Sequence, residues 1–205
     1  MSSVSVQFEP AGFAYREPAG RALLEVVRGL GLARRITSLT VAVRPNLQGD
    51  EGFVAWREVR GRAIVRIELD LGNFLTARGR RALARSGHTA ISVPRRRYSD
   101  CTARRTFLHE LSHVADALRH GIDSNDVPRG RWASFNEAWN VWIDGRLARR
   151  GTPSLTRSER WTAFHGEFRR RGRRRAWFAR IFDRLWRADR LSQQDLLDAV
   201  DVLVG

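Results

Sequence analysis

Residues 100–120 read "DCTARRTFLHELSHVADALRH". Wound as a helix of about 3.6 residues per turn, Leu108, Leu111, Ala115 and Leu118 share one side, with Phe107 and Val114 at its flank. His109, His113, Asp116 and His120 fall on the opposite stripe. This phasing predicts an amphipathic helix that packs one face on a core and carries imidazoles on the other. Ser99 or Asp100 is placed to cap its start.

Working outward from that helix, the two sides differ in kind. On the N-terminal side, "ITSLTVAVRP" (36–45) alternates and is β-branched, which predicts a strand. "GFVAWREV" (52–59) and "RAIVRIELDL" (62–71) alternate likewise, with Arg60 and Gly61 between them, as in a two-residue hairpin. "PAGRALLEVVRGL" (18–30) and "TARGRRALARSG" (76–87) read as helices, and "TAISVP" (89–94) as a last short strand. On the C-terminal side the pattern is helical throughout, near 134–149, 156–170, 173–188 and 192–204, after a loop "GIDSNDVPRGR" at 121–131. The expectation is an α+β chain forming a single domain over 1–205. A small N-terminal sheet with helices and the 100–120 helix make one lobe (1–120), and a helical half makes the other (121–205).

Composition bounds the class. No stretch approaches the ~20 apolar residues of a membrane span, and the start lacks a basic segment followed by an apolar run. The single cysteine, Cys101, excludes an internal disulfide and suits a reducing cytosol, so a cytoplasmic protein with no membrane partner is expected. Cys101 itself reads as a small buried residue. All 37 basic side chains are arginine and the net charge is +15. Such a charge raises nucleic acid or an acidic partner, whereas the exclusion of lysine points to codon usage. Nucleic acid is therefore not the favoured partner. The run at 169–175 reads first as a solvated face, beside a packing stripe of Trp177, Phe178, Ile181, Phe182, Leu185 and Trp186. Composition does not specify the oligomeric state.

Within the helix, "HELSH" (109–113) carries chemistry. Residues four apart are neighbours on a helix, so His109 and His113 can each give one nitrogen to a Zn²⁺ ion at about 2.0–2.1 Å. Glu110, rotated away from that pair, can reach a water beside the metal and take its proton. Catalytic zinc usually has three protein ligands and an open position. His120 lies roughly 10 Å further along the helix axis than His113, too far to share the ion. Asp116 is better placed to orient an imidazole or to meet solvent. In "SFNEAWNVWIDGRL" (134–147), Glu137, Asn140 and Asp144 share a face. Glu137 is the candidate third ligand, with Asn140 or Asp144 holding a ligating histidine. Ser134 and Glu137 also fit a capping box, which would use the same carboxylate otherwise.

"HELSH" with "NEA" at 136–138 resembles the gluzincins, zinc metallopeptidases with HExxH and a glutamate ligand on a later helix, in a minimal thermolysin-like form. One departure is Val141, where the thermolysin branch has an aspartate four residues after its glutamate ligand. The resemblance implies a zincin-like fold and a zinc metalloendopeptidase acting on a protein or peptide substrate. His109, His113 and Glu137 would hold the metal, and Glu110 would be the general base. It also implies a substrate extended along a sheet edge, supplied by "RAIVRIEL" or "FVAWRE". An oxyanion donor besides zinc would be His165, in "AFHGEF", or Tyr98; His165 also reads as a helix-surface histidine. Arginines at 94–98 and 104–105 would favour acidic substrate segments. Two alternatives stand beside this reading. One is a nucleic-acid-associated SprT-like protease acting on DNA-bound proteins, with His120 or His165 as its third ligand. The other is a non-catalytic zinc-binding module, against which the intact Glu110 speaks.

Overall fold

A computed structural model describes residues 4–47, 52–85, 93–169 and 175–204. The strand expected over 89–94 and the arginine run over 169–175 lie largely outside the described residues. The chain is α+β. Its strands are β1 (Ser5–Glu9), β2 (Ile36–Arg44), β3 (Gly52–Val59) and β4 (Arg62–Asp70). Its α-helices are α1 (Arg16–Gly29), α2 (Ala77–Leu83), α3 (Asp100–His120), α4 (Trp132–Arg149), α5 (Arg157–Phe168), α6 (Arg175–Arg187) and α7 (Gln193–Val204). Contacts divide it into two compact units, Met1–Ala115 and Asp116–Gly205, with the division inside α3.

In the first unit the sheet order is β1-β2-β4-β3. β1 and β4 flank β2 in parallel, while β3 runs antiparallel to β4 on the outer edge. The hairpin follows from its turn. Arg60 and Gly61 have φ of 52° and 74°, the positive pair that matches the twist of two antiparallel strands. Alternation sets the faces: Leu39, Val41 and Val43 of β2 stand beside Val65, Ile67 and Leu69 of β4, all buried. On β3 the register partners of Leu69, Ile67 and Val65 are Gly52, Val54 and Trp56; Val54 and Trp56 are half-buried and Gly52 is exposed, so burial fades along this face toward β3. "RAIVRIEL" is therefore an interior strand, and "FVAWRE" supplies the edge.

An aromatic chain joins sheet and helix. Phe8 of β1 stacks on Phe13, Phe13 meets Phe74 edge-on at 4.9 Å, and Phe74 meets Phe107 of α3 at 6.0 Å. Tyr15 is also buried; its hydroxyl donates to the Pro94 carbonyl at 2.9 Å, and burial pushes its pKa up to about 12. Ser99 caps α3, its Oγ accepting from the Thr102 amide at 3.3 Å. Asp100 instead pairs with Arg104, which also binds Glu25 at 2.5 Å. Arg104 is thus engaged by its own unit rather than turned to a ligand. Cys101, expected inside, is exposed, because the first turn of α3 stands clear of the sheet-facing stripe.

The second unit is built round α4, whose Phe135, Ala138, Trp139, Val141, Trp142, Ile143 and Leu147 are buried. Gly145 lets α6 approach: a Cβ there would collide with the Trp186 carbonyl oxygen and stand 2.9 Å from its Cα. The Trp142 indole donates to the Ala188 carbonyl at 3.0 Å. α5 opens with a capping box of Thr156 and Glu159. Ser192 and Asp195 cap α7 reciprocally. No helix among the described residues is long and apolar enough to cross a membrane.

Candidate metal and acid–base site

α3 carries the "HELSH" residues inside the protein rather than on an open face. Glu110 and His113 are buried at 6 % and 4 % exposure, and His109 is half-buried. All residues from 110 to 116 are buried, so the helix is enclosed on both stripes and not only on its apolar one. The His109 and His113 ring centroids lie 5.3 Å apart at 73°. With metal–nitrogen bonds of about 2.0–2.1 Å and a roughly tetrahedral angle, two ligating rings stand about 5 Å apart. The pair therefore fits a zinc ion as two of its donors. Among the described residues, no group of three or more histidine, cysteine, aspartate and glutamate side chains forms a ready metal site.

Glu110 lies against the first residue of the edge strand. A Cβ built on Gly52 would collide with the Glu110 Oε1 and stand 2.8 Å from its Cδ. The carboxylate thus occupies the place where most residues would have a side chain. Sequence reading missed Gly52; the available signal was a glycine opening an alternating strand.

In the second unit, Glu137 is not a cap. α4 starts at Trp132, straight out of a 3-10 turn over Arg129–Arg131, and its N-cap residue makes no side-chain hydrogen bond. Ser134 consequently sits inside the helix, donating to Glu167 Oε1 at 3.3 Å. Both Glu137 oxygens accept from Arg160 at 3.4 Å, and Asn140 donates to one of them at 3.5 Å. Arg160 also binds Asp144 at 2.7 Å, and both residues are buried. Burial works against the Arg160 charge, but Asp144 and Glu137 more than offset it, so the guanidinium is held charged even more firmly than usual. Asp144, expected to hold a histidine or face water, is thus an arginine partner. Nothing in "RSERW" distinguishes Arg160 from the many solvent-facing arginines.

Asp116 accepts from Arg146 through both oxygens at 2.8 Å and from the Trp139 indole at 3.1 Å. It ties the end of α3 to α4 instead of meeting solvent. His120 is exposed, its ring 6.5 Å from that of Trp142. His165 is half-buried in aromatic packing, 5.4 Å from Trp161 and 6.2 Å from Phe178. The Tyr98 hydroxyl is raised well above the phenol range by burial and by Asp100, to which it donates at 3.4 Å. His109, Glu110 and His113 are thus brought together on α3 in the first unit, and Glu137 is placed on α4 in the second. No protein-family model, curated protein or solved structure matches the chain.

Proposed function

We propose that the chain is a zinc-dependent endopeptidase of zincin-like build. The observation that carries this reading is the conjunction on α3: two imidazoles at ligand spacing, and between them in sequence a buried carboxylate lodged against the sheet's antiparallel edge strand. A helix placed merely for packing has no need of that conjunction.

His109 and His113 would hold the ion as neutral imidazoles. Glu137 is proposed as the third ligand on its sequence position, with Arg160 and Asn140 orienting its carboxylate on α4. Zinc, when bound, supplies Lewis-acid polarisation of the attacking water and of the scissile carbonyl. Glu110 accepts the water proton and passes it to the departing amine nitrogen. The outer side of β3 carries no strand among the described residues. An extended peptide added there would be held by main-chain hydrogen bonds and pass the end of the strand where Glu110 lies. Phe53, 45 % exposed, offers that peptide an apolar contact. His165 stays the sequence-based candidate for oxyanion donor.

The test is metal analysis of the purified protein combined with an unstructured peptide library. About one zinc per chain is expected, with cleavage that a chelator abolishes and added zinc restores. Protein that takes up no stoichiometric zinc, or that is zinc-loaded and cleaves nothing, rules the reading out.

A further inference from the structure

Gly52 pairs with Leu69 in β3 and shares its side of the sheet, at an exposed position. Glycine weakens a strand, and in a strand it often marks close approach by another group. Here the approaching group is the Glu110 carboxylate. A methyl at position 52 would overlap Oε1, stand 2.8 Å from Cδ and press on Leu69 Cδ2 at 3.1 Å. The Leu69 contact is the milder one: its Cδ2 is the end of a side chain and need give only a few tenths of an ångström. The carboxylate is the end of a side chain with rotatable bonds and is what must move.

We propose that Gly52 is a positioning residue for Glu110: its missing side chain is the space that aims the carboxylate. For the placement of Glu110 the inference stands on geometry; for catalysis it rests on the peptidase reading. It explains why glycine, a residue that weakens a strand, stands opposite Leu69 in β3. It also separates fold from function at one methyl group. The substitution leaves the sheet and α3 in place and takes the proton acceptor out of line.

The experiment is Gly52→Ala, alone and combined with Glu110→Asp, whose side chain is one methylene shorter. In a crystal structure of Gly52→Ala, the Glu110 carboxylate is expected to shift by about 1 Å or more with β3 and α3 unmoved. Misplacement on that scale costs about 10²-fold in rate. kcat should fall by about that factor, while KM and zinc content stay within about twofold, since neither ligand histidine is touched. In the Glu110→Asp background, Gly52→Ala should cost nothing further. If Gly52→Ala folds poorly, adding Glu110→Ala should restore the unfolding temperature. An unmoved carboxylate overturns the proposal, as does an equal rate loss in both backgrounds or a folding defect that Glu110→Ala leaves in place. A wild-type protein that binds zinc but cleaves nothing sinks the peptidase reading, while the crystal structure still decides the placement.

Discussion

Glu110 and Asp116 stand on the same helix, both buried, in different surroundings. Asp116 is clamped by the two-pronged Arg146 guanidinium and the Trp139 indole. Asp144, in the same helical unit, is clamped by Arg160. Glu110, in the sheet unit, lies in a space made by the absence of a side chain at Gly52. A buried carboxylate fixed by a guanidinium is an anchor, whose place is set by its partner. Glu110 instead borders the strand along which the peptidase reading lays the substrate. The contrast separates carboxylates that hold the fold from the one assigned to chemistry, and it is open to direct attack.

The sharpest attack is Glu110→Gln. It keeps the shape and removes the proton acceptor, so peptide hydrolysis should drop by about 10²–10⁴-fold, the usual worth of a general base. Zinc content and the unfolding temperature should stay near wild type. Substantial remaining turnover would put Glu110 among the anchors. The converse is Arg146→Ala. It leaves Asp116 buried without its partner and should cost about 3–5 kcal/mol, read from the shift of the denaturation midpoint. Zinc content and kcat per folded molecule should hold. If stability survives and kcat collapses instead, Asp116 orients His113 and is no mere anchor.

The legible part of the molecule is the part written in local periodicity. The bounds of α3 and the hairpin turn at Arg60 and Gly61 follow from spacing alone, as does the nearness of His109 to His113. β1 was not legible: "SVQFE" buries only Phe8, and its pairing to β2 is a parallel, non-local one. The Gly52–Glu110 and Arg160–Asp144 contacts join segments far apart in sequence, where no short-range rule operates. Ser134 misled for another reason. Its spacing to Glu137 is that of a capping box, but α4 begins earlier because the chain enters it already turning.

That displaced cap sharpens the test of Glu137. Glu137→Ala should weaken zinc binding by more than the ~10–100-fold typical of losing a ligand's outer partner, measured by competition with a chelator. Ser134→Ala should leave zinc affinity unchanged and cost only the bond to Glu167, about 0.5–1.5 kcal/mol. Equal zinc affinity in wild type and Glu137→Ala would class Glu137 with Asp144, as a partner of Arg160 and no ligand.

The smallest effect belongs to the serine that is a cap. Ser192 and Asp195 repeat the Ser-x-x-acid spacing of Ser134 and Glu137, but at a true helix start, where each satisfies the other's amide. Ser192→Ala should therefore cost about 0.5–2 kcal/mol, with faster hydrogen exchange at the Asp195 amide and no change in zinc binding or turnover. The effect also carries a pH signature. Hydrogen bonds from the Ser192 hydroxyl and amide hold the Asp195 carboxyl below the usual aspartate range. A carboxyl lowered on folding contributes stability that is present above its unfolded pKa and lost as pH falls through its folded pKa. Wild type should therefore lose part of its advantage over Ser192→Ala on acidification, the two unfolding temperatures converging toward low pH. Curves that stay parallel down to full protonation of Asp195 would show that the cap acts through the serine hydroxyl alone, leaving the two Ser-x-x-acid motifs closer in kind than their geometry implies.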